Sequence, residues 1–156
     1  MYVNASWRNY AYSGVKKWTL FDNGVFTQLL DGTKLSVKNV SCNIFSVGSN
    51  IHIGVWNGYY PNEYALSTVA IDVTGYKYFK FTVTSPTFGN YGDKKVGVSS
   101  SGSDFSKYYV LGSVMNNQLC VLDISSLTGS YYIKFFVSQN NYTKDYEYYI
   151  YKMWLE

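Results

Sequence analysis

Residues 52–64 read His52-Ile53-Gly54-Val55-Trp56-Asn57-Gly58-Tyr59-Tyr60-Pro61-Asn62-Glu63-Tyr64. Trp56, Tyr59 and Tyr60 stand beside Asn57, Asn62 and Glu63, so flat aromatic faces lie next to amides and a carboxylate. That pairing suits a sugar. A pyranose offers C–H-rich faces to a ring and hydroxyls to planar polar groups, and small-molecule sites generally combine an apolar surface with a few oriented polar groups. Two other segments share this make-up. Residues 87–95 contribute Phe88, Asn90, Tyr91 and Asp93, and residues 138–147 contribute Gln139, Asn140, Asn141, Tyr142, Lys144 and Asp145. The candidate ligand-binding residues are therefore Trp56, Asn57, Tyr59, Tyr60, Asn62, Glu63, Asn90, Tyr91, Asn140 and Tyr142. The same residue types also serve other ends. Tyr is an ordinary cross-strand partner in a sheet, and a surface rich in aromatics, Asn and Ser is what protein–protein interfaces use.

Other chemistries find little support. His52 is the single histidine, and it falls inside an alternating segment, where a hydrogen-bonded structural role is expected. Neither a Ser/His/Asp triad nor a Cys/His pair has a local signature. Glycoside hydrolysis needs two carboxyl groups about 5–10 Å apart across a cleft. Only three Glu are present, one of them the terminal Glu156. Gly89-Asn90-Tyr91-Gly92-Asp93 lacks the Lys-Ser/Thr ending and following helix of a phosphate loop. The chain thus reads as a non-enzyme with no catalytic residues. One His and two separated Cys leave no zinc set, and no organic cofactor is expected. Asp22, Asp72, Asp93, Asp104, Asp123 and Asp145 could lend oxygens to a structural calcium, although no spaced acidic loop demands one. Cys42 and Cys120 read either as two buried thiols or as one disulfide.

What must position these residues follows from composition. The chain has 156 residues, one fifth of them aromatic, with 18 Tyr, 9 Phe and 4 Trp. Val occurs 16 times, Ala only 4 times, and Ser, Thr and Asn together fill 41 positions. Helix formers are scarce and strand formers abundant, which excludes helical bundles, coiled coils and βαβ folds. Thirteen basic residues against ten acidic ones, with Arg8 the single arginine, exclude a nucleic-acid footprint. No apolar run reaches the ~18 residues of a membrane helix, so no membrane insertion is expected. The first 25 residues hold no signal-peptide-like apolar stretch.

Gly and Asn punctuate the chain, as at Asn23-Gly24, Asp31-Gly32, Asn57-Gly58 and Thr128-Gly129. Between these marks the segments alternate. Phe79, Phe81 and Val83 oppose Tyr78, Lys80 and Thr82. Tyr131, Ile133, Phe135 and Val137 oppose Tyr132, Lys134 and Phe136. Val69, Ile71 and Val73 form a third set, and Ile51, Ile53 and Val55 a fourth. Period two marks half-buried strands. Strands are predicted near 18–21, 25–30, 35–40, 42–47, 51–56, 66–73, 78–84, 95–99, 118–123, 131–137 and 147–155, with some merging to leave nine or ten. Asp123–Leu127 is predicted to make one short helical turn ended by Gly129. At the end of the chain, if Tyr149, Tyr151, Met153 and Leu155 face the core, Ile150 and Trp154 face outward as an exposed pair suited to an interface. Trp7 and Trp18 are expected to serve packing or subunit contacts. Many short strands with no helices between them indicate an all-β fold, an antiparallel β-sandwich or barrel.

The order of the second half adds a resemblance. Residues 69–83 (VAIDVTGYKYFKFTV) precede 95–105 (KVGVSSSGSDF), 119–137 (LCVLDISSLTGSYYIKFFV) and 148–156 (YYIYKMWLE). This order resembles the jelly-roll sandwich of carbohydrate-binding modules and galactose-binding-like domains, over roughly residues 66–156. In those folds the ligand sits on loops at one end of the sandwich or on one concave sheet face. Residues 16–30 (KKWTLFDNGVFTQLL) are similar to the opening of domains in tail-associated and minor structural proteins of phages of Firmicutes, with Phe21 in place of the usual Tyr. The two resemblances imply a single jelly-roll domain over residues 1–156, with 1–17 an N-terminal arm or edge strand. They imply a non-catalytic glycan-binding module, the adhesin domain of a phage virion that touches cell-surface polysaccharide. A virion structural or decoration protein, docking its aromatic surface on other virion subunits or on further copies of itself, is the alternative. The virion is the expected location, with a domain of a larger extracellular protein as the other.

Overall fold

A computed structural model of the protein describes residues 16–86, 91–140 and 144–156. Its described elements are thirteen β-strands in two antiparallel sheets. The seven-stranded sheet contains β1 (Trp18–Asp22), β2 (Val25–Phe26), β4 (Ile44–Val47), β5 (Ile51–Val55), β8 (Tyr78–Ser85), β11 (Met115–Asp123) and β13 (Tyr146–Leu155). The six-stranded sheet contains β3 (Val37–Asn39), β6 (Tyr60–Ser67), β7 (Ile71–Asp72), β9 (Lys94–Ser99), β10 (Lys107–Val110) and β12 (Ser130–Gln139). The first sheet runs β11-β8-β13 and then branches, with β5-β4 beside one half of β13 and β1-β2 beside the other. The second runs β10-β9-β12-β6-β3, with β7 also on β12. The connections β3–β4, β5–β6, β8–β9, β10–β11 and β12–β13 each cross from one sheet to the other. The all-β antiparallel sandwich expected from the alternating segments is the architecture observed.

The period-2 sets supply the core. Phe79, Phe81 and Val83 of β8 and Tyr148, Ile150, Met153 and Leu155 of β13 face Val96, Val98, Ile133, Phe135 and Val137 of the other sheet, all buried. Burying a side chain of this size contributes ~1.5–3 kcal/mol, so this strip drives sheet-on-sheet packing. Phe81 meets the edge of Tyr109 on β10 at 5.9 Å between ring centroids. The Tyr148 hydroxyl reaches from one sheet to the other, 3.2 Å from the Phe136 carbonyl and 3.3 Å from that of Lys95. Cys42 and Cys120 are buried free thiols, not a disulfide. Trp18 is half-buried against the core and donates its indole N–H to Thr27 Oγ1 at 3.2 Å. Trp7, like the rest of residues 1–15, lies outside the described residues.

Four expectations need correction. Ile150 does not face out with Trp154, because it is fully buried. A bulge between Ile150 and Lys152 shifts the register against β8, so the inward parity changes there and Tyr149 points outward. The predicted strand 66–73 is interrupted at 68–70 and begins earlier. Its two pieces, β6 and β7, both pair with β12. Residues 107–110, not expected to be a strand, form the edge strand β10. Asp123–Leu127 is a turn and not a helical one. Asp123 Oδ1 accepts the Ser125 N–H at 2.9 Å, and Leu127 N donates to the Ile124 carbonyl at 2.9 Å.

Because Tyr148 is fully buried with its hydroxyl on two carbonyls, Tyr148→Phe is expected to cost ~0.5–1.5 kcal/mol through the lost hydrogen bond. Tyr148→Ala is expected to cost ~3–5 kcal/mol through the cavity. Urea unfolding midpoints of the two variants check the order and the gap between them.

Candidate functional site

Five of the sheet-crossing loops, β3–β4, β5–β6, β8–β9, β10–β11 and β12–β13, share one end of the sandwich, as the registers require. Tyr146 opposes Val55, Gln139 opposes Tyr60, and Val137 opposes Lys94. The three segments singled out in the sequence, 52–64, 87–95 and 138–147, therefore have their loop portions at this end. Asn90 and Tyr142 lie outside the described residues, as do Phe88 and Asn141. Asn140 is exposed, and its N–H donates to the Tyr91 carbonyl at 2.7 Å, tying the β8–β9 loop to the β12–β13 loop. Tyr91 itself is half-buried, packing edge-on to Tyr146 with centroids 6.1 Å apart.

The β5–β6 loop carries the strongest display. Trp56 is 53% exposed and Tyr59 59%, and no other described aromatic is more than half exposed. Asn57 takes a left-handed turn at φ 56°, which Asn tolerates better than most residues. Asn43, in the β3–β4 loop, holds the turn with its whole amide. Its Oδ1 accepts the Trp56 N–H at 2.9 Å. Its Nδ2 donates to the Trp56 carbonyl and to the Tyr60 hydroxyl, each at 2.8 Å. Gly58 makes room for this arrangement: a Cβ there would lie 2.7 Å from the pinned Tyr60 ring. Tyr60 is thereby half-buried against the core, while Asn62 is exposed on β6 and Glu63 half-buried. Asn43 was not legible as a site residue, because it sits 13 residues from Trp56 and only the fold joins them.

Other aromatics are differently used. On the outer face of the six-stranded sheet, Lys134 Nζ lies 4.5 Å from the Tyr64 ring centroid and 5.1 Å from that of Phe105. Lys95 Nζ lies 5.2 Å from the centroid of Tyr108 and 5.4 Å from that of Phe136. These ring faces already hold ammonium groups, a favourable cation–π contact, whereas no such lysine lies over Trp56.

The titratable groups are those of a packed module. Burial pushes the Cys42 thiol up to about 12 and Cys120 to about 11, which leaves neither as a ready thiolate nucleophile. The His52 ring stacks on Tyr149 at 4.2 Å and donates Nε2–H to Glu147 Oε2 at 2.6 Å, a structural engagement on the outer face of the seven-stranded sheet. Among the described residues no three His, Cys, Asp or Glu side chains gather. Asp22 is paired with Lys152 at 2.7 Å and Asp93 with Lys95 at 2.8 Å. Asp72 Oδ1 accepts the Thr74 N–H. This dispersed set does not fit a calcium ion.

No family model matches the sequence, and no curated protein sequence matches it. Solved structures do match the fold. A point mutant of a family 29 carbohydrate-binding module superposes with a TM-score of 0.58 at 15% identity, covering 90% of each chain. Another family 29 carbohydrate-binding module structure gives 0.54 at 15% identity over 90% of this chain and 87% of that one. The family 11 module of Clostridium thermocellum, solved with a β-1,3-1,4-mixed-linked tetrasaccharide, gives 0.51 at 16% identity over 90% and 95%. The chain is thus a jelly-roll β-sandwich with the fold of carbohydrate-binding modules.

The bond from His52 is the foremost cause holding the Glu147 carboxyl below its ordinary 4.5. A depressed carboxyl stabilises the fold above its unfolded value, and the contribution is lost as pH falls through the folded value. The stability advantage of wild type over Glu147→Gln is therefore expected at pH 7 and is expected to shrink as pH drops below about 4.5. Urea midpoints of both proteins at pH 7 and pH 3 check this.

Proposed function

We propose that this chain is a non-catalytic carbohydrate-binding module whose glycan stacks on Trp56 and Tyr59. The observation that carries the reading is the Asn43 clasp, which holds an exposed indole on a turn whose backbone is already satisfied. A loop backbone fixed before binding loses little freedom when ligand arrives, and such preorganisation raises affinity. Asn57, Asn62 and Asn140 supply amides at the same end of the sandwich. The carbohydrate-binding-module fold supports the reading by analogy alone. The finer setting, an adhesin domain of a phage virion that meets host polysaccharide, rests on residues 16–30 and on nothing in the fold.

One observation favours a second reading, subunit docking in a virion or a homo-oligomer. Leu119 and Val121 of β11 are 51% and 42% exposed, and Tyr108 and Val110 of β10 are 48% and 55% exposed. These are the edge strands of the two sheets on the same side of the sandwich, linked where Lys107 Nζ donates to the Asp123 carbonyl at 3.0 Å. Edge strands with apolar side chains are natural sites of association.

A glycan array that includes cell-wall polysaccharides tests the first reading. Wild type is expected to bind, and Trp56→Ala to lose at least about tenfold in affinity, or about 1.4 kcal/mol, with its melting temperature kept. Asn43→Ala, which leaves the indole but frees the turn, is expected to weaken binding less. No binding to any glycan by a folded protein that self-associates would replace this reading with the second.

A further inference from the structure

Lys94 is the first residue of β9, and its side chain points into the sandwich with 1% exposure. Its ammonium donates to Ser85 Oγ and, at 3.5 Å, to the Ser113 carbonyl. It lies 4.4 Å from the Tyr146 ring centroid. Every Asp and Glu of the chain falls among the described residues, and none comes within 4.0 Å of Nζ. Lysines are almost never fully buried unless paired, and an unpaired charge inside a protein is costly. An ammonium has three N–H donors, and two are engaged among the described residues.

Lys94 also lines a cleft of about 320 Å³, walled by Gly92, Asp93, residues 110–113 and Tyr146. That volume lies at the small end of ligand pockets and matches one sugar residue or smaller. The one carboxylate in the wall, Asp93, is paired with Lys95 at 2.8 Å. The Tyr146 hydroxyl donates to the Gly92 carbonyl at 2.9 Å, so the ring stands as a fixed wall. The cleft therefore combines a buried cation that has no carboxylate within 4.0 Å, with Glu147 acting on it from farther away, and an aromatic wall.

We infer that this cleft between the β8–β9 and β10–β11 loops binds a carboxylate, the acid group of an acidic sugar, with Lys94 as its counter-ion. The inference deepens the glycan-binding reading, since it names a class of ligand, but it needs neither Trp56 nor the β5–β6 loop. The bound carboxylate would accept the third ammonium N–H and offset the desolvation of the charge. Burial is the main cause that lowers the Lys94 amine to about 8, with Glu147 acting against it. The other titratable groups around it are Tyr146 and Glu147 on β13 and Asp93 and Lys95 in the chain. β8, β12 and residues 110–113 bring none.

Calorimetric titration with sodium glucuronate, glucose, acetate and inorganic phosphate tests the proposal. Glucuronate is expected to bind wild type at least tenfold more tightly than glucose. Lys94→Met, which keeps the length without the charge, is expected to lose that preference, and Trp56→Ala to keep it. Should Lys94→Met fail to fold, the wild type alone decides, because glucuronate binding must fall as pH rises through about 8 and the amine becomes neutral. Equal binding of glucose and glucuronate, a preference that survives Lys94→Met, a pH-independent affinity, or binding of phosphate in place of both carboxylates would overturn it. Loss of the glucuronate preference with Trp56-dependent glycan binding intact defeats this inference alone. Lys94-dependent glucuronate binding with no Trp56-dependent glycan defeats the reading of the β5–β6 loop and leaves the cleft standing.

Discussion

β13 is the strand on which the other pairings depend. One edge pairs with β8 through Tyr149–Leu155, while the other is shared, first by β5 through Tyr146–Ile150 and then by β1 through Lys152–Leu155. A regular strand would keep one parity throughout. The bulge at Tyr151 instead lets Tyr146, Tyr148 and Ile150 face the core before it and Met153 and Leu155 after it. The Tyr151 carbonyl is not left unpaired, since the Asn23 N–H from the β1–β2 turn meets it at 2.9 Å. The close fit of β5 against β13 depends on Gly54, where a Cβ would stand 2.6 Å from the Glu147 Cβ. The far end of β5 carries Trp56, so the placement of the indole is inherited from this pairing.

Most of the architecture was legible because most strands are half-buried and keep strict alternation. β8 and β12 show their inward sets directly as Phe79-Phe81-Val83 and Ile133-Phe135-Val137. Legibility fails where backbone geometry departs from period two. The bulge in β13 reverses the side of Ile150, and no residue type announces it. Tyr60-Pro61-Asn62 reads as a loop because Pro cannot donate to a ladder. It nevertheless opens β6, at a place where the register with β12 is irregular between Val137 and Gln139. β10 escapes notice as a four-residue edge strand. In the site, the aromatic and amide composition of 52–64 was visible, but what fixes it was not. Asn43 acts across 13 residues, and Lys94 reads in sequence as half of an ordinary lysine pair until strand parity turns it inward.

The distribution of lysines divides the aromatic surface by task. Over the six-stranded sheet, Lys95 and Lys134 lie against four rings, so those faces are filled, and Lys134 Nζ is further held by the Ser103 carbonyl. On the other sheet Lys80 pairs with Glu156 at 3.0 Å and Lys152 with Asp22 at 2.7 Å. Charges are therefore satisfied over both faces, where exposed pairs contribute little to stability, typically ~0–1 kcal/mol. The loop end differs in exposure, with Trp56 and Tyr59 each more than half exposed and Lys94 turned into the sandwich at 1% exposure. Such departures from ordinary burial are expected at functional positions.

The size of these features sets what they can do. Two exposed rings with a few amides form a small contact, and a millimolar site is worth only about −4 kcal/mol. A module of this kind holds a polymer by repetition, because linked copies turn later contacts into intramolecular ones and multiply affinity by ~10²–10⁴. Discrimination between ligands does not grow in the same way, since each copy applies the same preference. It has to come from a group that penalises the wrong ligand within one copy. Stacking on Trp56 accepts almost any pyranose face, whereas a buried ammonium in a cleft rejects a neutral ring by leaving its own charge unpaired. On the division proposed above, the β5–β6 loop would provide adhesion and the Lys94 cleft selectivity, and the two lie at the same end of the sandwich because sheet-crossing connections build both.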